Sequence, residues 1–143
     1  MIKHTVRALC AASLVIAPLA LSTPAHAAVT CTVNGAPVSA DIVNGTAGPD
    51  FIRCGAVPSF NAVQGLGGDD YIVITGAVAG LVAGGDGRDF VTADAGTTGT
   101  GAVNGNAGND FLRVGPNAGS VNGGLGIDFC RVASGNPPVS CEG

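Results

Sequence analysis

Five segments of this chain align beneath one another without a gap, beginning at Val43, Val63, Val82, Val103 and Val121. Each opens on that valine and places a first glycine two residues later (Gly45, Gly65, Gly84, Gly105, Gly123). A second glycine follows three residues further on (Gly48, Gly68, Gly87, Gly108, Gly126). Then come an aspartate (Asp50, Asp70, Asp89, Asp110, Asp128) and an aromatic residue (Phe51, Tyr71, Phe90, Phe111, Phe129). Successive copies start 20, 19, 21 and 18 residues apart. A unit this short cannot bury its own apolar face, so the units must stack, each supplying a wall for the next.

Within a copy the residues after the aspartate alternate. Ile52, Ile72, Val91, Leu112 and Cys130 stand two positions past it, and Cys54, Ile74, Ala93, Val114 and Val132 stand four past it. Both sets are apolar and share one face of a short strand, while Arg53, Val73, Thr92, Arg113 and Arg131 between them form a mixed outer face. Each coil is therefore a strand, a glycine-rich turn, a second strand and a return. The expected fold is all-β, a parallel β-roll or β-solenoid of about five coils.

Stacked coils lie roughly 4.8 Å apart, so the five aspartates should form a ladder at that spacing. Two bare carboxylates about 5 Å apart repel by roughly 3 kcal/mol at an effective dielectric near 20. A small domain is stable by only about 5–15 kcal/mol, so four such neighbours call for a cation. Calcium suits the ladder, because it takes six to eight oxygens in loose geometry and accepts backbone carbonyls. Magnesium demands a tighter octahedron, and transition metals prefer the imidazole or thiolate that these turns lack.

The motif resembles the hemolysin-type calcium-binding repeats, the RTX family, whose nonapeptide is Gly-Gly-x-Gly-x-Asp-x-apolar-x. Residues 84–92 fit that pattern fully, and residues 123–131 fit it with Cys130 in the apolar slot. The other three copies replace the second glycine of the opening pair with Thr46, Leu66 or Asn106. The resemblance covers residues 43–135. It implies Ca2+ between stacked turns, held by Asp50, Asp70, Asp89, Asp110 and Asp128. Carbonyls of Gly45, Gly65, Gly84, Gly105 and Gly123 and of their partners Gly48, Gly68, Gly87, Gly108 and Gly126 would complete the sites. Here the motif occurs once per coil, so one edge of the roll should bind the ion and the other should be a plain turn. A metal-independent solenoid, with aspartates merely capping turns, is the alternative.

The start of the chain has the form of an export signal. Lys3 and Arg7 precede an apolar run from Ala8 to Leu21, and Ala25-His26-Ala27 is a small-x-small cleavage pattern. The expected division is a removed leader over 1–27, an N-terminal cap strand over 28–42, the repeats over 43–135 and a C-terminal cap over 136–143. No other stretch is apolar enough to span a bilayer, so a secreted, extracellular protein is expected. Loss of Lys3 and Arg7 leaves four arginines against ten acids, a net charge of −6. Without lysine, such a chain is a poor nucleic-acid binder.

Four cysteines would remain, two near each end of the repeats, and an even number in an exported chain implies two disulfides. Three connectivities are open, of which Cys31–Cys54 with Cys130–Cys141 spans the shortest loops and would staple both ends of the stack. The aromatic column Phe51, Tyr71, Phe90, Phe111 and Phe129 should point outward. Stacking along the solenoid, with Arg53, Arg113 and Arg131 over the rings, is one use for it, and a carbohydrate- or protein-binding strip is the other. The portion after residue 27 has no His or Lys and five scattered serines. No nucleophile–base pair can be assembled from these, so an enzyme is not expected. A monomer is.

Overall fold

The computed structural model describes residues 26–142. The leader assigned to residues 1–27 lies outside these but for its last two positions. There the His26 ring stands 5.2 Å from that of Phe60, and the Ala27 carbonyl accepts a bond from the Asn61 side chain.

The described residues form strands and turns with no helix. The strands are β1 (Val29–Val33), β2 (Ala36–Ala40), β3 (Ile42–Asn44), β4 (Phe51–Cys54), β5 (Ala62–Gly67) and β6 (Tyr71–Ile74), then β7 (Leu81–Asp86), β8 (Phe90–Ala93), β9 (Ala102–Ala107), β10 (Phe111–Asn117), β11 (Ser120–Leu125) and β12 (Phe129–Gly135). They lie in two sheets, one ordered β12-β10-β8-β6-β4-β1-β2 and the other β11-β9-β7-β5-β3. All pairings among β3 to β12 are parallel. The chain thus winds as a β-solenoid of about five coils, each coil giving one strand to each sheet.

The sequence repeat is also the register. Phe51 pairs with Tyr71, Tyr71 with Phe90, Phe90 with Phe111 and Phe111 with Phe129, and the opening valines pair in the same order on the other sheet. A slip of one residue would turn every apolar side chain outward, so burial enforces this alignment. Val43, Val63, Val82, Val103, Ile52, Ile72, Val91 and Leu112 are all fully buried, as the alternation requires. The unequal periods are absorbed in the returns, which touch one another through single parallel bridges at Val57, Val78, Thr97 and Asn117. That column is apolar at its start and polar at its end. Thr97 Oγ1 donates to Asn117 Oδ1, and Asn117 Nδ2 donates to the Asn136 carbonyl.

Each end carries a cap over one of its two sheets. The N-terminal cap, expected as one strand, is a hairpin of β1 and β2, with β1 antiparallel to both β2 and β4. Asn34 and Gly35 form its two-residue turn with φ of 51° and 83°, the left-handed pair that suits a tight hairpin. Cys31 faces Cys54 across the β1–β4 pairing and is bonded to it, and Cys130 is bonded to Cys141. Among the described residues no helix is long and apolar enough to cross a membrane.

Candidate metal centre

The glycine-rich turn carries the chain from one sheet to the other, and its aspartate is the last residue before the strand that follows. That position sends the side chain inward. Asp50, Asp70, Asp89, Asp110 and Asp128 are all buried, between 1% and 4% exposed. Each of the last four gives one carboxylate oxygen to the coil before it. The Asp50 N–H donates to Asp70 Oδ1 at 2.8 Å, Asp70 to Asp89 at 2.9 Å, Asp89 to Asp110 at 2.8 Å and Asp110 to Asp128 at 2.8 Å. The aspartate column is therefore a backbone-to-carboxylate ladder running the length of the solenoid.

The second oxygen is the anomaly. Oδ2 of Asp70, Asp89, Asp110 and Asp128 is buried and has no hydrogen-bond partner. An orphaned buried acceptor costs about 1–3 kcal/mol, and more if it is charged. The backbone beside it has a matching irregularity. Strand pairing between β5, β7, β9 and β11 runs through the valine and the turn but skips the first glycine of each coil. A Cβ on Gly65 would stand 2.1 Å from Asp70 Oδ2 and 2.3 Å from the Gly84 carbonyl oxygen. On Gly84 the distances to Asp89 Oδ2 and the Gly105 carbonyl are 2.2 and 2.8 Å, and on Gly105 those to Asp110 Oδ2 and the Gly123 carbonyl are both 2.3 Å. A carboxylate oxygen and the carbonyl of the next coil thus share one small interior space, both of them acceptors. That space exists only because the first glycine has no side chain.

The second-glycine column does different work. Gly68, Gly87, Gly108 and Gly126 take φ between 99° and 142°, and a Cβ on any of them would run into the backbone of the preceding coil. Gly48, in the first coil, has neither constraint. These glycines let the turns nest.

Asp50 stands apart from the other four. Its Oδ2 accepts the Thr46 N–H and the Thr46 hydroxyl, and its Oδ1 accepts the Asn34 amide. Both oxygens are therefore occupied. Burial pushes its carboxyl up, but the Thr46 N–H, the Asn34 amide and the Thr46 hydroxyl together hold it below the ordinary carboxylate value. In the interior rungs burial prevails. It raises Asp70 and Asp110 and pushes Asp89 up to about 7, against the N–H bond each receives and with the help of neighbouring aspartates.

Among the described residues no three His, Cys, Asp or Glu side chains converge on one point. A cation here would bind through one or two carboxylates with backbone carbonyls and water, a donor set that calcium accepts and softer metals do not. Asp70, Asp89, Asp110 and Asp128, where the orphaned oxygens lie, each offer such an ion one carboxylate oxygen and one facing carbonyl, with the rest of its shell to come from other carbonyls and water. The fit is poorer at Asp50.

The aromatic column stands outward, with Phe51, Tyr71 and Phe129 exposed. Its rings stack face to face, with centroids 5.5, 4.9, 4.7 and 5.2 Å apart and planes within 14° of parallel. Solvent therefore meets ring edges, whereas stacking on a sugar needs an open face. This arrangement supports a ladder that packs on itself. Arg113, expected over the rings, instead pairs with Asp94 through Nε at 2.8 Å and through a second, shorter contact.

Three residues of the ladder carried no signal in the repeat pattern. Asn34 caps its first rung, Asn34 Oδ1 also accepting the Phe51 N–H. At the other end Glu142 Oε2 accepts the Asp128 N–H at 2.6 Å, and the Ser140 carbonyl lies beside Gly123. All three lie outside the repeats, in the caps; only the Asn34-Gly35 turn pair could have flagged the first. No protein-family model, no curated protein and no solved structure matches this chain.

Proposed function

We propose that this protein is a secreted calcium-binding β-roll of the hemolysin-type repeat kind, in which Ca2+ between stacked Gly-Asp turns drives folding and rigidity. One observation carries the reading: at each of four successive turns an orphaned, buried aspartate oxygen shares an interior space with a backbone carbonyl oxygen. Two acceptors confined together are satisfied by a cation or a donated proton between them. Calcium provides the cation, binding Asp70, Asp89 and Asp110 with the carbonyls of Gly84, Gly105 and Gly123, and Asp128 with that of Ser140. The leader-like first 27 residues and the two disulfides accord with an oxidising compartment outside the cell, where calcium is plentiful. Folding would then follow export, because a site absent from the unfolded chain returns its binding energy as folding energy.

A proton is the second candidate for the same gap. The raised Asp70, Asp89 and Asp110 carboxyls favour it, since a neutral carboxyl could donate from Oδ2 to the facing carbonyl. The two readings separate at a pH well above 7. Circular dichroism and thermal melting of the exported protein should show a strong β-signal with calcium, and a marked fall in both signal and melting temperature on adding chelator. An unchanged melt after chelation would exclude calcium as the stabilising charge.

A further inference from the structure

We infer that the C-terminal tail completes the last of these calcium sites, the one at Asp128, with Glu142 standing in for the aspartate of a missing sixth coil; the inference rests on the calcium reading above. The tail makes backbone contacts of a repeat on either side of a missing glycine-rich turn, with Cys141 alone between Ser140 and Glu142. Val139 bridges Asn122 in parallel, as Asn104 does on the other side of β11. The Gly123 N–H donates to the Val139 carbonyl at 3.0 Å, as the Gly45 N–H donates to that of Gln64 at 2.7 Å. The Glu142 N–H donates to the Asp128 carbonyl at 2.8 Å, as the Phe129 N–H donates to that of Asp110 at 2.8 Å.

By this alignment Ser140 occupies the place of a first glycine, and Glu142 stands one position beyond that of the aspartate. Its longer side chain makes up the difference by reaching back. Oε2 takes the Asp128 N–H at 2.6 Å, the bond that Asp70, Asp89, Asp110 and Asp128 each take from the coil before. The Ser140 carbonyl lies 2.0 Å, and Asp128 Oδ2 lies 2.6 Å, from the point where a Cβ on Gly123 would stand. Asp128 is 1% exposed and its Oδ2 is without a partner, so the confrontation of acceptors found between coils is repeated at the end of the stack. Glu142 itself is exposed, which leaves its other oxygen, Oε1, free to join Asp128 Oδ2, the Ser140 carbonyl and waters on a hard divalent cation. The bond between Cys130 and Cys141 holds this segment against the last coil.

Glu142 is the only glutamate in the chain, so its carboxyl can be followed alone. Selective 13C labelling of glutamate would give one side-chain carboxylate resonance, observed as calcium is added to the exported protein and withdrawn with chelator. Native mass spectrometry would count the ions bound by wild type and by Glu142→Gln, whose amide oxygen can still accept the Asp128 N–H. We expect the carboxylate resonance to move with calcium and return with chelator, and Glu142→Gln to carry one ion fewer than wild type. Wild type binding calcium with a stationary Glu142 resonance, or an equal ion count in a folded Glu142→Gln, would overturn the end site and leave the interior ladder standing. Should Glu142→Gln not fold, the resonance in wild type decides. Wild type binding no calcium would remove both readings together.

Discussion

Gly105 shows how little room the ladder allows a side chain. A methyl group there would meet Asp110 Oδ2 and the Gly123 carbonyl oxygen, both at 2.3 Å, whereas one on Gly99 would meet nothing within 4 Å. Gly105→Ala should therefore lower stability by about 1–3 kcal/mol and remove one bound ion, while Gly99→Ala should change stability by less than about 0.5 kcal/mol. Chemical denaturation of the two variants beside wild type measures the contrast. Asp89→Asn tests the charge without changing the shape. Its Oδ1 can still accept the Asp70 N–H, and its Nδ2 would put a donor where Oδ2 now faces the Gly105 carbonyl. In chelator the variant should melt higher than wild type above neutral pH, and in calcium that order should reverse. The pH dependence follows the same logic. The Asp89 carboxyl is raised from 3.8 to about 7 by burial, opposed by the Asp70 N–H bond and aided by the neighbouring aspartates, so the folded metal-free protein holds its proton more tightly than the unfolded chain does. That contribution is complete below 3.8 and is lost as pH rises through about 7. Asp70 and Asp110, also raised, act in the same direction. Melts of the chelated protein should fall steadily over this window, and saturating calcium should flatten the profile; a chelated protein that gained stability with pH would contradict the raised values.

The two sheets differ in what they stack. On the outer face of the larger sheet the five aromatic rings touch in sequence, with Phe90 and Phe111 closest at 4.7 Å. A double-mutant cycle on Phe90→Ala and Phe111→Ala should give a coupling of about 0.5–1.5 kcal/mol, with the ion count unchanged in both single variants. A lost ion in either would tie the rings to the metal edge. Inside, Ile72 is fully buried between β4 and β8, and Ile72→Ala should cost about 2–5 kcal/mol by equilibrium denaturation. At this scale the sequence was highly legible. Identical side chains recur at identical positions, so the alignment of the copies reads out strand, face and register together. β2 was missed because Pro37 and small residues give it no clear alternation; it pairs with β1 alone and packs Val38 and Ala40 against the core.

A parallel stack of five coils has two open ends, and this molecule closes them unequally. A covalently tied antiparallel hairpin pairs with β4 of the first coil and leaves β3 as an edge, while the tail bridges β11 of the last coil at one point and leaves β12 as an edge. Reducing the Cys31–Cys54 bond should destabilise the protein by about 2–4 kcal/mol without altering the number of interior ions, as native mass spectrometry under mild reduction would report. What the sequence determined by itself was everything the period imposes: stacking coils, an apolar interior, an aspartate column on one edge, an outward aromatic column and cysteines placed for the ends. Repetition makes these local facts, since each residue's neighbours along the stack are its own counterparts. Only the tertiary structure decided that Asp70, Asp89, Asp110 and Asp128 each split their two oxygens, one on the backbone of the coil before and one left facing a carbonyl. It also decided that Thr46 and Asn34 satisfy the first rung, and that Glu142 reaches the last from outside the repeat. Those outcomes depend on how residues of unlike sequence meet at the ends of the stack, where periodicity stops and geometry alone sets the partners.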